Sequence, residues 1–187
     1  MALTKARRAP APLSETALQE LALKYVGKYA TTRAKLRAYL ARKLRERGWN
    51  GEREPDLEAM AGRFAELGYV DDAAYALSKS RALSARGYGK RRLAEQLNHA
   101  GVGEDDSRIA FELAEAEAAE AALRFARRRR IGPFASEAPD RSQREKWIAA
   151  LVRAGHPFDL ARAIVRLEPG ADIDSGSLIE RQDLEAN

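Results

Sequence analysis

Residues 86–102 read RGYGKRRLAEQLNHAGV: two glycines, three consecutive cations, a short amphipathic pattern and a third glycine. Guanidinium and ammonium groups at a helix start suit an anionic partner, a polyanion or an acidic protein surface. Other chemistry finds little to stand on. Cysteine is absent, so there is no thiol nucleophile, disulfide or thiolate metal site. The two histidines, His99 and His156, are too far apart in sequence to suggest zinc. The chain has no GxxxxGK[ST] phosphate loop, no HExxH, and no Ser paired with a His at a turn. The acidic pairs Asp71–Asp72 and Asp105–Asp106 each precede a helical pattern, where a carboxylate caps the first turn and meets the helix dipole favourably. A non-enzyme without cofactor or metal is expected.

These cations need a scaffold, and composition points to helices. In 187 residues, Ala and Leu dominate the apolar set, while Gly (13) and Pro (7) are sparse. No apolar run approaches the roughly 18 residues of a membrane span, and MALTKARRAPAPLSE lacks the apolar core of a secretory signal. A cytoplasmic protein with no membrane partner is expected. The net charge is +5. Lys5, Arg7 and Arg8 make the first 13 residues basic. Asp172, Asp174, Glu180, Asp183 and Glu185, against Arg181, make residues 171–187 acidic.

Helical periodicity begins after Ser14, a candidate N-cap, with Leu18, Leu21, Ala22 and Tyr25 on one stripe. A second helix carries Leu36, Leu40 and Leu44 and stops at Gly48, and a third runs from Pro55 to Gly68. The pattern then recurs. A helix capped by Asp71 or Asp72 stops at Gly87, and the next stops at Gly101. The stretch 104–130, without Gly or Pro, reads as one long helix or two. After a turn come a helix stopping at Gly155 and a last one before Pro169. Leu40, Leu44 and Gly48 share their spacing with Leu93, Leu97 and Gly101, and with Trp147, Leu151 and Gly155. Arg37, Lys90 and Arg144 keep the same register, as do Met60, Leu113 and Leu167. The reading is three modules of about three helices each, sharing buried faces with their neighbours. The expected organisation is a disordered basic arm at 1–13, repeats at 14–68, 69–114 and 115–168, and a disordered acidic tail at 169–187.

Lys90 falls in the first turn of its helix, where a cation opposes the dipole at about 0.3–1 kcal/mol. Two readings stand side by side: a binding use, or a long side chain covering apolar neighbours. Tyr88 reads as a stacking or plugging ring, or as a staple on the preceding helix. Arg127, Arg128, Arg129 and Arg130 lie where cations satisfy the last carbonyls of a helix, with polyanion contact as the other reading. Trp147, aligned with Leu40 and Leu93, is expected in the core.

The block YVDDAAYALSKSRALSARGYGKRRLAEQL (69–97) resembles the central block of the RecX family of bacterial recombinase regulators: an aromatic-x-Asp-Asp start, a helix ending in Arg-Gly, then Tyr-Gly-x-Arg-Arg. TTRAKLRAYLARKLRERG resembles that family's first-module block and RAGHPFDLARAI its final one, so the resemblance covers about residues 20–168. His156 stands where Phe is common in the family, and Lys90 where Pro or another residue often stands. The resemblance implies an all-α, elongated, curved array of three tandem three-helix, helix-turn-helix-like repeats. It implies binding in the groove of the RecA nucleoprotein filament and inhibition of ATP hydrolysis, strand exchange and LexA cleavage. A monomer is the default expectation, with single- or double-stranded DNA as a further partner. The residues expected on the binding face are Arg33, Lys35, Arg37, Arg86, Tyr88, Lys90, Arg91, Arg92, Arg144 and Lys146. A helix-turn-helix transcription regulator is the main rival, though the basic turn is echoed in three modules rather than concentrated in one recognition helix. A non-specific nucleic-acid binder is the third reading.

Overall fold

The computed structural model describes residues 11–176 and 178. The described secondary structure is helical, apart from one isolated bridge between Leu13 and Trp49. The chain divides into two compact units, residues 1–72 and 73–187.

The first unit holds α1 (Glu15–Val26), α2 (Arg33–Arg47) and α3 (Leu57–Glu66). Each begins with a side chain that occupies an otherwise orphan amide. Ser14 accepts from Ala17 N–H, Thr32 from Lys35 N–H and Asp56 from Ala59 N–H. Leu18 and Ala22 of the expected stripe are fully buried, and they meet Leu36, Leu40, Ala61 and Phe64 in one cluster. Leu13, expected in the disordered arm, is buried in that same cluster: its amide donates to Gly48 O and its carbonyl accepts from Asn50. An apolar side chain with a core site and both backbone groups bonded is ordered, whatever the prolines before it suggest. Residues 1–10 of the arm lie outside the described residues.

The second unit holds α4 (Asp72–Ala85) almost entirely, α5 (Lys90–Ala100), α6 (Glu104–Ala116), α7 (Ala118–Arg129), a 3₁₀ turn (Gly132–Phe134), α8 (Arg141–Arg153) and α9 (Phe158–Arg166). The stretch 104–130 is two helices. They meet at Glu117 (φ −92°, ψ 5°), whose carboxylate accepts a 2.5 Å hydrogen bond from the Ser84 hydroxyl. Buried apolar residues form one cluster spanning Tyr75–Ala114 and another spanning Ala119–Leu178, with Tyr88 packed against both. Ile173 and Leu178, expected in the acidic tail, pack on the second of these, and the residues beyond Leu178 lie outside the described set. Trp147, expected in the core, is only half-buried.

Five helices end in the same way. A residue one or two places past the helix turns left-handed and donates to the carbonyl three back, and the next amide reaches five back. Gly68 and Tyr69 do this onto Ala65 and Phe64, Gly87 and Tyr88 onto Ser84 and Leu83, Gly101 and Val102 onto Asn98 and Leu97, and Gly155 and His156 onto Val152 and Leu151. In α7 the left-handed place belongs to Arg130 (φ 54°), with Arg130 N–H on Arg127 O and Ile131 N–H on Ala126 O.

Gly155 is also a contact point, with Gly89 at the start of α5. The Gly89 amide donates to Ala154 O at 2.9 Å and the Arg91 amide to Gly155 O at 3.2 Å, so the start of α5 sits against the end of α8. A methyl group on Gly155 would lie 2.5 Å from the Arg92 amide nitrogen, and one on Gly89 would run into the Gly155 carbonyl. Gly155→Ala, which adds this clash to a left-handed φ of 99°, is expected to cost roughly 2–4 kcal/mol. Gly62→Ala, inside α3 with no atom within 4 Å of the new methyl, is expected to gain roughly 0.5–1 kcal/mol. Urea midpoints of the two variants should move in opposite directions.

Candidate functional site

The connector Arg86–Gly89 is where the sequence concentrates its claim, and its backbone is heavily used. Arg128, from α7, donates to Arg86 O at 2.5 Å. His156 pairs through Nε2 with Gly87 O at 3.1 Å. Because a carbonyl can only accept, Nε2 carries the proton, and the buried Nδ1 is left without a partner. Tyr88 is half-buried, with the Arg86 guanidinium 5.3 Å and that of Arg128 6.0 Å from its ring centre. The ring works as a staple between two clusters, and its cationic neighbours cover its outer side.

The first-turn cations of α5 have structural partners. Lys90 Nζ reaches Glu115 Oε2 at 2.7 Å, holding that carboxyl below its usual range, and lies 6.0 Å from the Phe111 ring. Arg91 donates through Nη2 to Val152 O at 2.9 Å. Arg92 bonds Glu95 Oε2 at 2.9 Å. A cation at the start of α5 opposes that helix's own dipole, but here Arg91 also meets the negative end of α8, which offsets the cost. The electrostatic argument for a binding use at this turn is therefore weaker than the sequence implied, although all three head groups stay exposed at their rims.

The other expected residues fall elsewhere. Arg33, Lys35 and Arg37 share the first turns of α2 in the first unit. Arg33 donates from its amide and from Nε to the buried Asp72 carboxylate, at 2.9 and 3.2 Å, and Arg37 pairs with Glu58. Asp72 thus serves the start of α2, besides standing as first residue of α4. Arg144 and Lys146 are exposed on the N-terminal half of α8, and Arg144 is about 12 Å along the axis from Val152, which Arg91 touches. Within the second unit the remaining seven expected residues make two groups, one at 86–92 and one at 144–146.

Lys146 has company that was read from sequence as helix-end cations or a polyanion contact (Arg128, Arg129 and Arg130), as core (Trp147), or was not singled out (Arg153). It lines a notch of about 500 Å³ with Arg128, Arg129, Arg130, Arg153 and Trp147, and no carboxylate is among its walls. The signal available in the sequence was the run of four arginines at 127–130, with Arg rather than Gly directly after the helix and Gly132–Pro133 only after Ile131. Among the described residues no cluster of His, Asp and Glu is arranged to hold a metal, and no helix is long and apolar enough to cross a membrane.

Basic turns and a carboxylate-free cationic notch on an all-helical scaffold define a protein whose described surface suits contact with an anionic partner. No family model matches the chain. It is 32% identical over 168 residues to Regulatory protein RecX of Myxococcus xanthus, covering 86% of this chain and 90% of that protein. It is 34% identical over 166 residues to Regulatory protein RecX of a Mycobacterium species, covering 85% and 87%, and 33% identical over 139 residues to that of Pseudomonas putida, covering 74% and 83%. The crystal structure of RecX from Lactobacillus salivarius superposes with a TM-score of 0.58 at 18% identity, over 90% of this chain and 96% of that one. The chain belongs to the RecX family of regulatory proteins.

His156 supplies a pH test of the connector. Burial pushes its pKa below the ordinary 6.5, against the smaller opposite effect of the Gly87 hydrogen bond. The unfolded ring takes up its proton near pH 6.5 while the folded ring does so only at lower pH, so stability falls as pH drops through 6.5 and below. By pH 5.5 the loss from this group should reach up to roughly 1.4 kcal/mol. His156→Phe should flatten the change in urea midpoint between pH 7.5 and 5.5, even if it lowers stability at both.

Proposed function

We propose that this chain binds the groove of the RecA nucleoprotein filament and inhibits RecA, lowering ATP hydrolysis, strand exchange and LexA cleavage, and so regulates DNA repair and recombination. The observation that carries this reading is the match along most of the chain to proteins named Regulatory protein RecX. The quoted blocks at 31–48, 69–97 and 153–164 resemble that family from the first module to the last. The fold supports it in a general way. Repeated helix ends present cations at the starts of α2 and α5 and on α8, and a polymer of subunits on DNA offers a repeating acidic counterpart. Affinity on this reading comes from many contacts of moderate strength, and no bond is made or broken by the chain itself.

Because Lys90 and Arg91 also hold the second unit together, the discriminating variant uses residues whose loss costs little internally. Arg92 bonds only within its own helix, and Arg144 forms no ion pair among the described residues. RecA ATPase on single-stranded DNA should fall when the wild-type chain is titrated in below one copy per RecA. Arg92→Glu with Arg144→Glu should raise the concentration for half-inhibition about tenfold, a change of about 1.4 kcal/mol, with an unaltered circular dichroism spectrum. No inhibition by wild type at a stoichiometric excess would sink the proposal.

A further inference from the structure

Many exposed cations of this chain are answered by a carboxylate. Arg37 has Glu58, Arg63 has Glu66, Arg108 has Glu112 and Arg141 has Glu145. The notch at the end of α7 breaks this habit. Arg129, Arg130, Lys146 and Arg153 surround it, and among the described residues none of the four makes an ion pair. Like charges brought together without counter-charge repel one another, so the arrangement is unfavourable in the free protein and favourable once an anion enters.

The backbone adds a second, independent observation. Where the other helices with this type of ending use glycine in the left-handed position, α7 uses Arg130, the one described non-glycine residue with a positive φ. A side chain there is strained relative to glycine, and strain of this kind collects at binding sites. It leaves the Arg130 side chain among the walls of the notch, together with residues of α8. The third observation is Trp147. Its ring is half-buried against the core and forms a wall of the notch, and the indole N–H has no partner among the described residues.

We propose that this notch is a binding site for single-stranded nucleic acid, with phosphates on Arg129, Arg130, Lys146 and Arg153 and a base against Trp147. Guanidinium forks match phosphate oxygens in pairs. An aromatic wall beside them favours an unpaired base, because every base has a face to stack while a duplex keeps its bases stacked internally. A protein partner fits the lining less well, since the centres of protein interfaces are depleted of charge and this one is dominated by it. The site needs no RecA, so it stands or falls separately from the function proposed above.

The test is anisotropy of a fluorescein-labelled 20-nucleotide dT strand, without RecA, between 50 and 200 mM salt. Wild type should bind with a log–log salt slope of about −2 to −3, as three or four phosphate contacts require at about −0.7 each. In a Trp49→Phe background, Trp147 is the remaining tryptophan and its emission should fall on binding. Arg130→Gly should be at least as resistant to urea as wild type, because glycine suits the left-handed backbone, yet bind more weakly. Adding Lys146→Gln and Arg153→Gln should weaken binding at least tenfold. Arg108→Gln with Arg141→Gln, outside the notch, should leave it unchanged. The site assignment is overturned if the notch triple variant binds as wild type does. The choice of ligand is overturned if a duplex of equal length binds as tightly without quenching Trp147, or if polyglutamate at equal charge displaces the strand.

Discussion

The second unit depends on a meeting of two helix ends. The first amides of α5 have no capping side chain, since Gly89 offers none, and the last carbonyls of α8 have no further turn to receive them. Each set of orphan groups satisfies the other: Gly89 N–H bonds Ala154 O, and Arg91 N–H bonds Gly155 O. That solution demands that two backbones touch, which is why glycine stands on both sides of the contact. It also places the positive end of one dipole at the negative end of another, and it makes the cations of KRR a complement to α8 as much as a display to solvent. The residues that drew attention first as a ligand surface turn out to be half of a joint.

Much of this organisation was legible in the sequence. The helix starts at Ser14 and the stops at Gly48, Gly87, Gly101 and Gly155 were readable because caps and left-handed terminators are local chemistry, decided within four or five residues. The core positions Leu36, Leu40, Leu93, Leu97 and Leu151 followed from period alone. What escaped were facts set by distant partners. Leu13 is ordered by Gly48 and Asn50, the break at Glu117 by Ser84, and the cost of the α5 cations is offset by α8. None of these has a signature in its own neighbourhood. Trp147 was misplaced for a related reason: the repeat aligned it with core leucines, but a ring so much larger than leucine keeps part of its surface outside.

The candidate site was legible only in part. The charges at 86–92 were found by their density, yet their partners Glu115, Val152 and Glu95 give each a place inside the molecule. The notch on α7 and α8 went the other way. Its arginines read as company for a helix end or as a polyanion contact, and only the three-dimensional arrangement shows that Lys146 and Arg153 from a different helix face the same space, with no carboxylate between them. Family membership and the notch are separate lines of argument, one resting on similarity along most of the chain and the other on electrostatics and backbone conformation.

The connector Arg86–Gly89 has a mechanical meaning beyond its charge. Short glycine-containing links between helices are where a chain is expected to flex. Here Arg128 holds one carbonyl, His156 holds the next, Ala154 receives the Gly89 amide, and Tyr88 is wedged between two cores. Bending it would break several bonds together, so the link acts as a splint rather than a hinge. The separation between α5 and α8 is therefore a fixed gauge, and any surface that engages both must already carry that spacing.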